Sequence, residues 1–265
     1  MKIKKLRSIC FSPAGTTKTI VNAIERGLNI NFSEQTDITN PITRKMKTET
    51  ASDELLLIAV PVYMGRVPSV LTDYFNNFIA YNTPVICVVV YGNRAYDDAL
   101  LELKDIMIKC GCKIVAAAAF IAEHSFSSSE FPSSVGRPDK NDLQIAENFG
   151  KKIKSIIENL STIDEIKNFI IPGNYPYGGT KNLWHLDFIS VNENCNKCLN
   201  CVNNCPVAAI NYHDVGEIDI NKCTLCCACI KLCPQQAKTM KAGPMREAAI
   251  RCTKFTDRKE AELFY

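Results

Sequence analysis

Apolar runs alternate with amphipathic stretches along the first 160 residues. Residues 54–60 form an almost unbroken apolar run, as in a parallel strand that is covered on both faces. Such strands alternating with helical patterns are typical of an α/β domain. The pattern predicts five strands, at residues 6–11, 34–38, 54–60, 84–91 and 112–122. It predicts helices at residues 17–28, 68–81 and 96–109.

A further helix has the clearest periodicity in the chain. Apolar residues recur there at the three- and four-residue spacing of one buried helix face. They are Leu143, Ala146, Phe149, Ile153, Ile156, Ile157 and Leu160. Residues 1–160 are therefore predicted to form one domain.

The remaining chain divides into three segments. Residues 161–190 are rich in turn formers and aromatics, which predicts a linker that packs against another part of the protein. Residues 191–242 contain a 28-residue internal repeat built on cysteines, with a short hairpin expected around Gly216. Residues 243–265 form a charged tail, predicted as one helix from Pro244 that packs on the body through its apolar residues.

Eight of the fourteen cysteines follow one spacing twice, C-x2-C-x2-C-x3-C-P. This is the bacterial run that holds two 4Fe-4S clusters, in which the fourth cysteine of each run binds the cluster of the other run. The predicted ligands of the first cluster are Cys195, Cys198, Cys201 and Cys233. The predicted ligands of the second cluster are Cys223, Cys226, Cys229 and Cys205. The repeat therefore predicts transfer of single electrons.

Zinc and disulfides are the alternatives for these cysteines. Zinc sites typically use close pairs of ligands separated by a longer gap, which the repeat does not match. Disulfides belong to oxidising compartments, and the first residues do not resemble a signal peptide. Cys227 lies outside the register and is interpreted as a free thiol. Cys10, Cys87, Cys110 and Cys112 lie in or beside predicted strands and are interpreted as small core residues.

The composition excludes several functional classes. The chain has 46% hydrophobic residues, and no stretch reaches eighteen uninterrupted apolar residues, so we expect no membrane span and a soluble, cytoplasmic protein. The formal charge of +3 does not indicate nucleic-acid binding, because it omits the negative charge that the predicted clusters add. Residues 190–240 carry four acidic and four basic side chains. This balance favours a module with a partner in the same chain over a diffusing acidic carrier.

Three predicted strands end in loops that are suited to a second redox group. The first loop joins a strand to a helix start, where backbone N–H groups and hydroxyls can bind phosphate. The carboxyl ends of parallel strands form one edge, and open α/β sheets bind ligands there. The first loop comprises Ser12, Pro13, Ala14, Gly15, Thr16 and Thr17. The other two comprise Pro61, Tyr63, Met64, Gly65, Arg66 and Val67, and Tyr91, Gly92, Asn93, Arg94 and Tyr96.

On these motifs the sequence resembles flavodoxins, and in particular the proteins of anaerobes that fuse a flavodoxin-like domain to a two-cluster ferredoxin domain. The resemblance covers nearly the whole chain. It implies a five-stranded parallel sheet of order 2-1-3-4-5, followed by a small α+β bacterial ferredoxin domain. It also implies FMN, with its phosphate on the first loop and its ring between the other two. Ala14 departs from the threonine that flavodoxins usually have there, which removes one phosphate donor.

Individual residues of these loops have a second interpretation. Tyr63, Tyr91 and Tyr96 either contact the flavin or are aromatic residues at the sheet edge. Arg66 and Arg94 either neutralise an anion or are solvated. No G-x-G-x-x-G motif occurs, so we expect electrons to enter from a redox partner protein rather than from a bound nicotinamide.

The loop at residues 123–141 is too long for an ordinary connection, and such loops are usually functional or disordered. It follows the fifth predicted strand, so His124 and Ser125 are candidates to touch flavin or substrate; a structural role for His124 is equally open.

The sequence predicts two possible functions. The first is an electron-transfer protein linking two 4Fe-4S clusters, FMN and a partner. The alternative is a reductase of a small acceptor, such as a quinone, nitro or unsaturated compound. An iron-sulfur sensor lacks an effector segment.

Overall fold

The computed structural model describes residues 2–166, 169–181 and 184–265. Part of the predicted linker, at residues 167–168 and 182–183, lies outside the described residues. The strands are β1 (Lys5–Cys10), β2 (Ser33–Asp37), β3 (Thr48–Thr50), β4 (Glu54–Pro61), β5 (Phe78–Ala80), β6 (Thr83–Tyr91), β7 (Cys112–Ile121), β8 (Ile189–Val191), β9 (Lys238–Met240) and β10 (Glu262–Phe264). The helices are α1 (Thr16–Leu28), α2 (Thr72–Asn76), α3 (Ala99–Lys109), α4 (Lys140–Glu158), α5 (Asn200–Asn203), α6 (Ala228–Lys231) and α7 (Pro244–Cys252).

The main sheet has the strand order β10-β7-β6-β4-β1-β2. The strands β7, β6, β4, β1 and β2 are parallel and correspond to the five predicted strands in the predicted order. This is the order of the flavodoxin-like doubly wound fold. The prediction of a five-stranded, purely parallel sheet is wrong, because β10 adds a sixth, antiparallel strand beside β7. The sequence of residues 262–264 does not predict that this segment pairs with β7.

Helices cover both faces of the sheet. On one face α1 and α4 pack through residues such as Ile24, Phe149 and Ile153 against Phe120. On the other face α2 and α3 pack through Tyr74, Leu100 and Leu103. The central strand β6 is buried along its whole length, which explains its apolar composition. Among the described residues, no helix is both long enough and apolar enough to cross a membrane.

Two helix predictions need correction. The segment predicted as a helix at residues 68–81 contains a 3-10 turn at Ser69–Leu71, the short α2 and then β5, which pairs with β3 in a separate two-stranded sheet. The helix predicted to begin at residue 96 begins at Ala99. Asp97, just before it, has a φ of 45°, which a right-handed helix excludes.

Helices α1 and α4 approach each other closely at two glycines. A β-carbon at Gly27 would lie 1.9 Å from the backbone oxygen of Glu147, and one at Gly150 would lie 2.3 Å from that of Ile24. Real β-carbons do not come this close to backbone atoms. Because Gly27 and Gly150 have no side chain, the two helices can pack at this short distance. The packing in turn fixes the position of the α1 N-terminus.

We expect Gly150→Ala to destabilise the protein by about 2 kcal/mol or more, because the added methyl group must push the helices apart. The gain of about 1 kcal/mol in helix propensity offsets only part of this. Thermal unfolding followed by circular dichroism measures the change. Lys152→Ala, an exposed position on the same helix, is the control and should change stability by less than about 0.5 kcal/mol. An unchanged melting temperature in Gly150→Ala would show that the helices are not held this closely.

The cysteine-rich segment has a true internal repeat in its backbone. Lys197, Leu199 and Ala208 have φ values of 55°, 62° and 49°. The residues 28 positions later, Leu225, Cys227 and Gln236, have 58°, 55° and 49°. The short helices α5 and α6 occupy equivalent places, and β8 pairs with β9 antiparallel beside them. Ile210 and Ile218 form an antiparallel bridge around Gly216, where a hairpin was predicted.

The last segment crosses from the cysteine-rich part to the sheet. Helix α7 ends at Cys252, so the helix predicted from Pro244 does not extend through the tail. The following chain is held by Asn93, whose Nδ2 donates to the carbonyl oxygens of Phe255 and Asp257 at 2.9 Å each. Strand β10 then pairs with β7, and Leu263 packs against the core.

Candidate functional site

A cavity of about 410 Å³ lies at the carboxyl ends of the parallel strands. Its wall contains residues from the loops after β1, β4, β6 and β7, from the linker, from the second cysteine run and from α7. Twelve of the seventeen residues predicted to bind the flavin lie in this wall. They are Ser12, Pro13, Ala14, Thr16, Thr17, Pro61, Tyr63, Met64, Gly65, Tyr91, Gly92 and Arg94. The structure therefore brings the three predicted loops together around one space.

The loop after β1 ends at the N-terminus of α1. Ser12 Oγ accepts a hydrogen bond from Lys18 N at 3.0 Å, and Ser12 N donates to Thr39 Oγ1 at 2.7 Å. These bonds hold the loop against the first turn of the helix. The first backbone N–H groups of a helix, here those of Thr16 and Thr17, lack acceptors within the helix. They and the helix dipole favour an anion, so this corner fits a phosphate.

The loop after β4 makes a tight hairpin turn. Tyr63 and Arg66 exchange backbone hydrogen bonds of 3.0 Å, and Met64 and Gly65 between them have φ values of 51° and 80°. Two central residues with positive φ are the mark of a type I′ turn. The turn places the Tyr63 ring in the cavity wall. Burial raises the pKa of its phenol well above the usual value, and the neighbouring cysteines add to the effect, so the phenol is neutral.

Five predicted residues lie away from the cavity wall. Arg66 binds Glu102 through two hydrogen bonds of 2.8 and 2.9 Å and lies 4.9 Å from the ring of Tyr177. Val67 N also donates to Glu102. Tyr96 donates to Glu262 Oε2 at 2.7 Å, while Asn93 holds the tail and Gly15 forms the turn before α1. These side chains support the loops instead of facing the cavity.

The start of the long loop after β7 contributes two residues to the cavity wall, His124 and Ser125, which were predicted as candidates to touch flavin or substrate. His124 Nδ1 accepts a hydrogen bond from Phe126 N at 3.1 Å, so its ring proton lies on Nε2, which is 3.6 Å from Cys252 Sγ. Burial lowers the pKa of His124 to about 4, with smaller effects from the charges of Lys231 and Arg94. His124 is therefore neutral at pH 7 and has partners within the fold.

Because the folded pKa of His124 lies below its usual value, the unfolded chain takes up its proton first as the pH falls. The stability that neutral His124 contributes is present above about pH 6.5 and is lost as the pH falls toward 4. We expect about 1 kcal/mol of this loss between about pH 7.5 and about pH 5.5. Unfolding by urea at both pH values measures it in the wild type and in His124→Gln. The variant should lose less stability than the wild type over this interval; equal losses would contradict a buried neutral His124.

The later part of the loop packs on α7 rather than hanging free. Arg246 forms an ion pair with Glu130, and its guanidinium lies 5.3 Å from the ring centre of Phe131. Ser133 Oγ donates to the carbonyl oxygen of Cys252 at 3.4 Å. The loop is thus ordered by the segment that follows the cysteines.

Each predicted set of four cysteines surrounds its own small cavity. The wall of the first cysteine cavity contains Cys195, Cys198, Cys201 and Cys233. The wall of the second cysteine cavity contains Cys205, Cys223, Cys226 and Cys229, and also Cys227. All fourteen cysteines are free of disulfides. Within the described ranges, no three His, Cys, Asp or Glu side chains are placed to hold a single metal ion.

The surroundings of these cavities fit an anionic cluster. Each repeat has three residues with a positive φ, a backbone conformation that also occurs in the nests that bind anions and iron-sulfur groups. Buried Lys238 donates from Nζ to Val215 O at 2.6 Å. Burial raises the pKa of the Cys229 thiol to about 12, and the Lys238 ammonium partly offsets this by favouring the thiolate.

The two cysteine cavities differ in their relation to the large cavity. Thr224 and Cys226 belong to the walls of both the second cysteine cavity and the large cavity. The first cysteine cavity shares no wall residue with the large cavity, and its Cys198 is exposed. Lys231, next to the second set, forms an ion pair of 2.5 Å with Glu123 in the large cavity wall. The charge of Lys231 lowers the pKa of Glu123 against the opposing effect of burial.

The sequence did not predict several residues of the large cavity wall. They come from the linker, the cysteine run and the tail, and include Trp184, Thr224, Leu225, Met245, Ala248 and Cys252. Their local patterns indicate only turns or helix faces. A fold in which the tail returns to the sheet is needed to place them beside the strand ends. Cys227, predicted as a free thiol near a cluster, is buried among Phe188, Ile189 and Met245.

Comparison with known proteins gives limited matches. No family model matches the chain. A protein of the ion-translocating oxidoreductase complex of Methanosarcina acetivorans is 46% identical over 44 residues, which are 16% of this chain and 17% of that protein. The chain thus matches about a sixth of the length of this curated relative.

Solved structures with a similar arrangement include flavodoxins. A flavodoxin from the domain Archaea is 13% identical, with 58% of this chain and 99% of that chain covered and a TM-score of 0.38. A Fusobacterium nucleatum flavodoxin bound to flavin mononucleotide is 16% identical, with 60% and 100% covered and a TM-score of 0.40. Rubredoxin oxygen:oxidoreductase from the anaerobe Desulfovibrio gigas is 8% identical, with 59% and 37% covered and a TM-score of 0.39. The flavodoxin-like assignment rests on the strand order and connections of this chain, which are independent of these matches.

Proposed function

We propose that this chain is an electron-transfer protein that holds FMN in the large cavity and one 4Fe-4S cluster in each cysteine cavity. When bound, the two kinds of group supply one-electron exchange at the clusters and one- or two-electron exchange at the flavin. The protein supplies their positions. The predicted ligands are the two crossed sets of four cysteines, and the predicted flavin contacts are the three loops at the strand ends.

One observation carries the proposal: Cys226 is in the wall of the large cavity and also in the wall of the second cysteine cavity. Cys226 would therefore adjoin both the FMN in the large cavity and the cluster in the second cysteine cavity. The contacts of Lys231 with Glu123 and of Arg44 Nη2 with Pro206 O, both 2.5 Å, hold the two parts of the chain in this arrangement.

The first cysteine cavity supplies the connection to a partner. Its Cys198 is exposed, whereas Cys226 is not, and it lies apart from the large cavity. A redox partner protein that approaches Cys198 reaches this cavity without entering the flavin site. The proposed path runs from the protein surface past the first and second cysteine sets to the large cavity. The short match to a component of an oxidoreductase complex supports a redox role.

A second function has an observation of its own in its favour. The wall of the large cavity includes the apolar side chains of Trp184, Met245 and Phe126. Such a cavity suits a small flat acceptor beside the flavin, as in a reductase of quinone, nitro or unsaturated compounds. His124 is neutral and in the wall, but its ring nitrogens have partners within the fold, and we assign it no proton transfer.

Anaerobic purification followed by iron and flavin analysis tests the main proposal. We expect about eight iron atoms and one FMN per chain, with two cluster signals in a redox titration monitored by electron paramagnetic resonance. A chain that takes up zinc in place of iron, or that does not bind FMN, would contradict the proposal. Rapid oxidation of the reduced protein by quinone or nitro compounds, saturating with acceptor concentration, would favour the reductase.

A further inference from the structure

Thr224 differs from its counterpart in the first cysteine run. Its side chain is only 6% exposed, and Oγ1 has no hydrogen-bond partner among residues 2–166, 169–181 and 184–265. A buried hydroxyl without a partner is unfavourable, so such a group usually indicates a ligand or another missing partner. Thr224 is in the wall of the large cavity, where a bound molecule would supply that partner.

The counterpart 28 residues earlier is Asn196. Its side chain is exposed, and its Oδ1 accepts a hydrogen bond from Cys198 N at 3.3 Å. The backbone is nearly the same at both places, as the matching φ values of Lys197 and Leu225 show. The difference between the two side chains therefore comes from location: only the second run faces the large cavity.

Thr224 also adjoins the second cysteine cavity. It is in the wall of that cavity as well as in the wall of the large cavity, and so is Cys226, two residues later. The loop from Cys223 to Cys229 fixes the position of Thr224, and three predicted cluster ligands lie on that loop.

We propose that Thr224 forms a hydrogen bond to the flavin in the large cavity, and that FMN affinity depends on the cluster held by the second cysteine set but not on the first. The inference rests on the proposed function. When a cluster is bound in the second cysteine cavity, its ligands fix the loop that carries Thr224. Without the cluster this loop can move, and the flavin then loses its contact with that part of the cavity wall. By reciprocity, FMN should stabilise the second cluster to the same extent.

The first test uses Thr224→Val, which keeps the shape and removes the hydroxyl, with Thr224→Ser and Asn196→Val as matched controls. FMN dissociation constants are measured anaerobically by flavin fluorescence on cluster-loaded protein. We expect Thr224→Val to weaken FMN binding roughly 5- to 30-fold, the usual cost of one lost hydrogen bond in a buried site. Thr224→Ser and Asn196→Val should stay within about twofold of the wild type.

The second test separates the two cysteine sets. Cys229→Ser removes a ligand of the second set whose side chain is not in the large cavity wall, and Cys198→Ser removes one of the first set. We expect Cys229→Ser to weaken FMN binding by at least about fivefold, as in ordinary coupling between sites, and Cys198→Ser to leave it unchanged. Melting curves show whether each variant is folded; if Cys229→Ser is not, the isosteric Thr224→Val decides.

Wild-type affinity for Thr224→Val, or equal weakening by Cys198→Ser and Cys229→Ser, would overturn the inference. Thr224→Val could instead shift the reduction potential of the cluster and leave FMN affinity unchanged. That result would show that the hydroxyl interacts with Cys226 and not with the flavin, and it would also overturn the inference. Failure of the proposed function is distinct, since the wild-type chain would then bind no FMN or no iron.

Discussion

Cys198→Ser is expected to lose about half of the bound iron and to keep its FMN. Cys198 is in the wall of the first cysteine cavity only, so its loss removes one corner of one cluster and leaves the other cysteine set complete. Iron content should fall from about eight to about four atoms per chain. Flavin absorbance should be retained, because none of the first set lies in the large cavity wall.

Cys227→Ser is the matched control for this variant. Cys227 is adjacent to a predicted ligand and is in the wall of the second cysteine cavity, but it is outside both predicted sets. Its buried side chain belongs to an apolar cluster with Phe188 and Met245. It should keep about eight iron atoms. Iron loss in Cys227→Ser equal to that in Cys198→Ser would mean that Cys227 is itself a cluster ligand and that the predicted second set is wrong. Simultaneous loss of FMN in Cys198→Ser would contradict the separation of the first set from the flavin.

Gly15→Asp should release the flavin. Gly15 precedes α1 with a φ of 88°, and a β-carbon there meets no atom within 4 Å, so the fold has room for a side chain. The new carboxylate adds negative charge at the helix end where the phosphate is proposed to bind. Repulsion and competition for the N–H groups should weaken FMN binding at least about tenfold, with flavin absorbance near 450 nm lost on gel filtration.

Gly15→Asn isolates the effect of charge. Asparagine has nearly the same shape as aspartate, and both tolerate a positive φ better than most residues. Gly15→Asn should therefore keep most of its FMN while Gly15→Asp does not. Similar flavin loss in both would assign the effect to strain in the turn. Full retention by both would place the phosphate elsewhere.

The sequence predicted the parallel core well because each of its strands carries its own local signal. The runs ending in Pro61 and Tyr91 are buried on both faces, so nearly every position in them is apolar. The segment from Ser69 to Ala80 was mispredicted because a 3-10 turn, one short helix and a strand share an apolar content that also fits a single helix. Strand β10 was missed because three residues are too few for a pattern, and its pairing with β7 is a long-range event.

Of the candidate site, too, some features were predicted from the sequence and others were not. Loops that directly follow strong strands were located from the sequence. The spacing of the cysteines also predicted two sets of four, and the members of each set are in the wall of one cavity, although their role as ligands stays a prediction. The roles of Arg66 and Tyr96 were not, since each has a carboxylate partner, Glu102 or Glu262, that lies far away in the chain. The burial of Thr224 likewise depends on how the cysteine run meets the sheet.

Strand β10 has a consequence for the order in which the protein is made. The edge of β7 stays open until residues 262–264 have been synthesised, which is after the entire cysteine-rich segment. An uncovered sheet edge is a template for pairing with other chains, so a growing chain is exposed to aggregation throughout that interval. Pairing of β10 with β7 therefore makes completion of the main sheet wait for the synthesis of the cysteine-rich segment. Any delay in translation between these segments would lengthen the time during which the sheet is vulnerable.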